Sequence, residues 1–229
     1  MKNLLKKIYR KLNPVFVVSR RNEDILNSIN IRIANIENKL DSVIKADNSS
    51  RNFERVLLFT EPKIFRYLYI NRYIKTGDEI LDIDCEYGAG ANLLSEVSPV
   101  GKITCINSIE HFSNLGRFYY SNDLLNFTNG TIEDVQEKFQ IILALNSNSS
   151  SLLPESSFSK IYDCLDLDGV FAVAVNLQET YGDERSLPEL LKQSGFVIEE
   201  ILYQGVGFER FETELKKDSV QIVIARKRS

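Results

Sequence analysis

The sequence predicts a doubly wound α/β domain that follows an N-terminal helical extension. Two observations predict the domain. Strand-like apolar runs alternate with helix-period segments from about residue 52 onward, and the run Glu79–Asp84 passes straight into a glycine-containing turn and a helix. A third observation sets the sheet type, because the runs are near-continuous rather than alternating, as expected where helices cover both faces of a parallel sheet.

Taken in order, Leu4, Leu5, Ile8, Tyr9 and Leu12 recur at helical spacing with lysine and arginine between them, which predicts a basic amphipathic helix over residues 2–12. Asn13-Pro14 ends it, and Val15-Phe16-Val17-Val18 follows, flanked by Arg20 and Arg21. Residues 1–21 therefore form a segment suited to an anionic membrane interface or to a protein surface. Leu26, Ile33 and Leu40 fall at the a positions and Ile29, Ile36 and Val43 at the d positions of three heptads, so residues 22–45 predict a short coiled coil through which the chain self-associates. A helix folded back onto the globular domain is the alternative reading of that seam, since an isolated helix of this length is marginal. Residues 46–51 have linker composition, and residues 52–229 form the α/β domain.

Within that domain Thr60-Glu61-Pro62 predicts a helix start, with Ile64, Phe65, Leu68 and Tyr69 on one face of a helix that precedes the first strand. Strands are expected at 79–84, 102–107, 125–128, 139–145, 169–175, 195–201 and 219–226, giving seven in all. Ser186-Leu187-Pro188-Glu189 has capping-box spacing, and Gly195 is placed to end the helix that follows it.

Composition narrows the function classes. Three cysteines, Cys85, Cys105 and Cys164, without paired spacing fit a reducing compartment better than a disulfide framework. Neither a membrane-spanning apolar run nor a signal-peptide pattern is present, so a cytoplasmic protein is expected, peripheral at the inner membrane face if the basic segment engages it. Seven basic residues precede the first acid, Glu23, leaving 21 basic against 32 acidic residues in the remainder, a balance of −11. That body disfavours a nucleic-acid partner, whose phosphates need a basic surface across the contact. No metal-binding cluster of cysteine or histidine is apparent, and no resident metal is expected.

The stretch Ile80-Leu81-Asp82-Ile83-Asp84-Cys85-Glu86-Tyr87-Gly88 resembles the first motif of class I S-adenosylmethionine-dependent methyltransferases. The resemblance runs in order from about Asn52 to Lys227, through Ile103–Glu110, Asn126–Glu133, Phe139–Leu145 and Leu165–Val175. It implies a Rossmann-like fold, S-adenosylmethionine as cofactor and a small-molecule acceptor. The cofactor-binding positions it implies are Asp82, Asp84, Glu86, Gly88, Gly90, Asn107, Thr131 and Ile132. Four of these depart from the family pattern. Asp84 and Glu86 stand where glycines are usual, Asn107 where an acid accepts the ribose hydroxyls, and Thr131 where many members carry an aspartate for the adenine amino group. His111, the one histidine, is the single candidate base, although its place beyond the second strand favours a surface or capping role. Two functions follow: a methyltransferase, narrowed by the basic N-terminus to glycans or lipid-linked sugars, or a non-catalytic subunit that organises a partner enzyme. The acceptor side is expected between Asn146 and Phe158.

Overall fold

In a computed structural model, the structure describes residues 61–120, 122–146, 153–176, 186–204, 211–212 and 220–228. The expected basic helix, heptad helix and linker lie outside these residues. From Pro62 onward the chain forms one structural unit.

Its elements alternate as the sequence predicts. Helix α1 (Glu61–Ile70) and a 3-10 turn lead to β1 (Glu79–Ile83), then α2 (Ala89–Val97), β2 (Lys102–Asn107), α3 (Glu110–Tyr119) and β3 (Leu125–Asn129). A second 3-10 turn, Ile132–Asp134, precedes β4 (Phe139–Ala144), α4 (Glu155–Cys164) and β5 (Leu165–Asn176). The chain continues with α5 (Leu187–Gln193), β6 (Phe196–Gln204), β7 (Phe211–Glu212) and β8 (Val220–Lys227). The sheet order is β3-β2-β1-β4-β5-β8-β6-β7, so the seven expected strands are joined by a two-residue eighth at the edge. Strands β1 to β5 pair in parallel, while β8 inserts antiparallel between β5 and β6.

The reason for the apolar runs is visible in burial. Ile80, Leu81, Ile103, Ile141, Ile142 and Phe171 are all buried, and Leu81, Ile142, Phe158, Phe171, Phe196 and Val223 belong to one core cluster. Helix α5 starts in the expected capping box, with Ser186 and Glu189 bonded reciprocally, and ends before Gly195 at φ 95°.

One local expectation is corrected, and the inward face of α1 is a finding of the structure. Strand β5 begins at Leu165 rather than at residue 169: Leu165 pairs with Phe139, and the register then jumps to Val170 opposite Ile141 across a bulge that holds Asp168 at φ 59°. The buried face of α1 is not its most apolar one. Lys63, Arg66, Tyr67 and Ile70, spaced three and four apart, point inward together with Phe65, while Ile64, Leu68 and Tyr69 are only partly covered. The inward face is polar because this helix packs over the carboxyl ends of the strands, where polar partners await it.

Order along the chain reverses between β1 and β4. From β1 the chain builds outward to β2 and β3, then returns to lay β4 on the other side. Both strands leave their carboxyl ends at that switch point, where the crevice of an open α/β sheet lies.

Candidate functional site

The turn that leaves β1 at the switch point keeps a glycine-type backbone without the glycines. Asp84 has φ 49°, Glu86 φ 54° and Gly88 φ 79°. A left-handed conformation costs an L-residue about 1–2 kcal/mol, and glutamate lacks the local hydrogen bonding that lets aspartate tolerate it. The turn is pinned by Asp84 N–H donating to the Ile106 carbonyl at 2.8 Å and Gly88 N–H donating to the Cys85 carbonyl at 2.9 Å.

Both unexpected carboxylates have partners. Asp84 Oδ1 accepts from the Ser108 hydroxyl at 3.1 Å and from the Ser108 N–H at 3.3 Å. Glu86 Oε1 accepts from Lys63 Nζ at 2.8 Å, in a pair whose side chains are only 14% and 8% exposed. Lys63 thus cancels the charge that the sequence places in the turn, and it does so from α1, a helix the motif does not include.

Asn107 is buried at the end of β2, and its amide is turned into the protein. Nδ2 donates to the Glu86 carbonyl at 2.9 Å and to Ser113 Oγ at 3.3 Å, while Oδ1 faces Cys85 Sγ at 3.6 Å. The position implied for ribose recognition is in this structure a strut beneath the turn. Burial pushes the Cys85 thiol well above its ordinary pKa, so it is an unreactive packing group.

Asp82, the last buried acid of β1, faces Tyr67 of α1. Tyr67 Oη lies 2.8 Å from Oδ2 and 3.1 Å from Oδ1, the approach of a phenol donating to a carboxylate. Burial opposes the ionised form and raises the Asp82 pKa to about 8, with Asp84 and Glu86 adding to the rise. Beside this pair, two residues beyond β4, Asn146 Nδ2 donates to Tyr67 Oη at 3.2 Å and to the Asp84 carbonyl at 3.4 Å.

The remaining motif residues divide between packing and surface. A Cβ on Gly90 would lie 2.2 Å from the Tyr67 ring, and one on Gly88 would lie 2.4 Å from Phe127, so both glycines admit core aromatics. Thr131 is exposed and caps the following 3-10 turn, its N–H donating to Asp134 Oδ2 at 2.8 Å. Ile132 next to it is buried in the core cluster. His111 is exposed in the first turn of α3, with its ring tilted against Phe112, and takes no part in the described hydrogen bonds of the turn.

Geometry therefore brings Asp82, Asp84, Glu86 and Asn107 together around the turn, while His111 is exposed and packs its ring against Phe112. It adds Lys63, Arg66, Tyr67 and Asn146, which the motif does not contain. Arg66 donates to the Leu145 carbonyl and to Gln204 Oε1, both at 2.8 Å, and burial lowers its pKa to about 10, still charged at neutral pH. A signal for these residues was present: Lys63, Arg66, Tyr67 and Ile70 share helical spacing, but a cationic face is ordinarily read as solvated.

No protein-family model matches the sequence, and no curated protein matches it. Solved structures match the fold. The chain is similar to a TehB-like S-adenosylmethionine-dependent methyltransferase from Corynebacterium glutamicum, with TM-score 0.59 and 13% identity over 85% of this chain and 97% of that one. It is similar to a chain of the complex between the Haloferax volcanii Trm112 methyltransferase activator and a methyltransferase, with TM-score 0.60 and 13% identity over 82% and 97% of the two chains. The [4+2]-cyclase SpnF has the same fold at TM-score 0.58 and 16% identity, covering 72% of this chain and 80% of its own. The described domain has the Rossmann-like fold of class I S-adenosylmethionine-dependent methyltransferases, and at these identities the likeness speaks for fold alone.

Proposed function

We propose that the chain is an S-adenosylmethionine-dependent methyltransferase acting on a small-molecule or glycan acceptor. One observation carries this reading, the left-handed run Asp84, Glu86, Gly88. Two L-residues held where only glycine is free of strain support a turn shaped for a ligand, since such outliers cluster at active sites and ligand clamps.

The residues fit the cofactor on the side of the switch point. Glu86 is neutralised by Lys63, so a ligand carboxylate meets a paired group rather than a bare charge, and Asn146 offers a buried acceptor. Asp82, the backbone of the turn from Asp84 to Gly88, Asn146, and Thr131 with Ile132 would hold it. When bound, the cofactor supplies an electrophilic methyl group on a sulfonium. The protein's own contribution is alignment and exclusion of water, which is large for a reaction whose nucleophile is already competent. His111 is exposed and distant in role, so no protein base is assigned. Support for a membrane-side acceptor comes from the basic composition of residues 1–21 and for self-association from the heptads of residues 22–45.

A second reading, a non-catalytic subunit that organises a partner, is favoured by Asn107, whose amide is spent beneath the turn. Calorimetric titration with S-adenosylhomocysteine separates the two. Micromolar affinity is expected; the absence of heat at millimolar ligand sinks the methyltransferase reading and leaves the subunit.

A further inference from the structure

The backbone and the side chain of Asp84 are held very differently. Its N–H donates to the Ile106 carbonyl of β2 at 2.8 Å, and its carbonyl accepts from Asn146 Nδ2 at 3.4 Å, so the main chain is pinned from both sides. The side chain reaches across to the first residue past β2 and is held there by surface hydrogen bonds. Oδ1 accepts from the Ser108 hydroxyl at 3.1 Å and from the Ser108 N–H at 3.3 Å, with Asp84 half-buried and Ser108 exposed.

This contact bridges the gap between the β1 turn and the end of β2. Asn107, one residue earlier and buried, braces the turn on the protein side through Nδ2 and the Glu86 carbonyl. Asp84 and Ser108 close the gap on the solvent side. A nucleoside bound to a Rossmann-like sheet spans that gap, with one end at the first βα turn and its ribose at the end of the second strand. The Asp84 carboxylate therefore stands in the path of the ribose. Glycine at this position would adopt φ 49° without strain and leave the path open. Aspartate does the reverse on both counts.

We infer that the Asp84 side chain is a latch, which closes the crevice in the free protein and swings off Ser108 when a nucleoside enters. The inference rests on the function proposed above and concerns the regulation of that same site. Opening takes a side-chain rotation while the pinned backbone of the turn stays in place. It gives up two surface hydrogen bonds, which water replaces, so the latch weakens binding without abolishing it. Apparent affinity is the intrinsic affinity scaled by the open fraction, and removing the latch raises that fraction.

The test titrates the full chain with S-adenosylhomocysteine by calorimetry, as wild type, Asp84→Gly, Asp84→Ala and Ser108→Ala. Both Asp84 variants are expected to bind about tenfold more tightly than wild type. Ser108→Ala is expected to gain less, because its N–H remains a donor to the carboxylate. Thermal denaturation of each unliganded variant checks that it folds. A carboxylate that only supports the turn predicts the opposite sign, with weaker binding in all three variants. Unchanged or weaker binding by Asp84→Ala overturns the latch and leaves the methyltransferase reading standing, and a gain confined to Asp84→Gly, which relief of backbone strain alone explains, does the same. Binding by the Asp84 variants without binding by wild type upholds the latch and sinks the methyltransferase reading of the natural chain. If no form of the chain binds, both fall.

Discussion

At the scale of single residues, the polar groups of the β1 turn do internal work that their sequence positions do not announce. Asn107 shows this most directly. Restoring the carboxylate that the family motif carries, by Asn107→Asp, would place it against the Glu86 carbonyl and remove the bond at 2.9 Å. A loss of about 1–3 kcal/mol in urea denaturation is expected, with no gain in nucleoside affinity. Asp82 makes a second prediction. With its pKa raised to about 8, the folded protein keeps a proton that the unfolded chain releases near pH 4, so stability falls as pH rises across that window and levels off above it. The slope for one proton reaches about 1.4 kcal/mol per pH unit. Asp82→Asn should flatten it, which denaturation of both proteins across that range would reveal; parallel slopes would mean that Asp82 is ionised throughout. The sequence announced that Asp82, Asp84, Glu86 and Asn107 would cluster, because one short turn and one neighbouring strand carry all four. It did not announce their partners, since Tyr67, Lys63 and Asn146 reach them across 15 to 62 positions of chain.

At the scale of elements, α1 governs the site. A helix with lysine, arginine and tyrosine on its inner face would be unstable against an apolar sheet surface, yet it is stable over strand ends that present Glu86, Asp82, Gln204 and the Leu145 carbonyl. Removing one member of its buried pair strands the other. Lys63→Ala is expected to cost about 3–5 kcal/mol, and adding Glu86→Gln to Lys63→Met should recover most of the loss, because an uncharged pair needs no compensation. Thermal denaturation of Lys63→Met, Glu86→Gln and the double variant measures the coupling; additive losses would show that the two side chains stand independently. The same helix explains why Gly90 carries no side chain, for Tyr67 occupies the space a Cβ would need. From sequence the helix was evident and its orientation was not, because Ile64, Phe65, Leu68 and Tyr69 form the more apolar stripe.

At the scale of the whole molecule, a globular unit from Pro62 follows an N-terminal region whose heptads predict pairing of chains. Ile33→Asn, at a central a position, should lower the mass seen by light scattering if residues 22–45 form the seam; an unchanged mass would assign any oligomer to the globular unit. No helix among the described residues is long and apolar enough to cross a membrane. The sequence by itself determined the fold class, the strand sequence and the location of the turn, because these rest on periodicity and on residues close together in the chain. Tertiary structure alone decided which face of α1 is inward, that Lys63 neutralises Glu86, that Asn107 braces the turn, and that Asn146 meets Tyr67 and the Asp84 carbonyl at the switch point. Each of those depends on groups brought together by the sheet from distant parts of the chain, where the strength of a charge or a hydrogen bond is set by burial and by what lies opposite rather than by residue type.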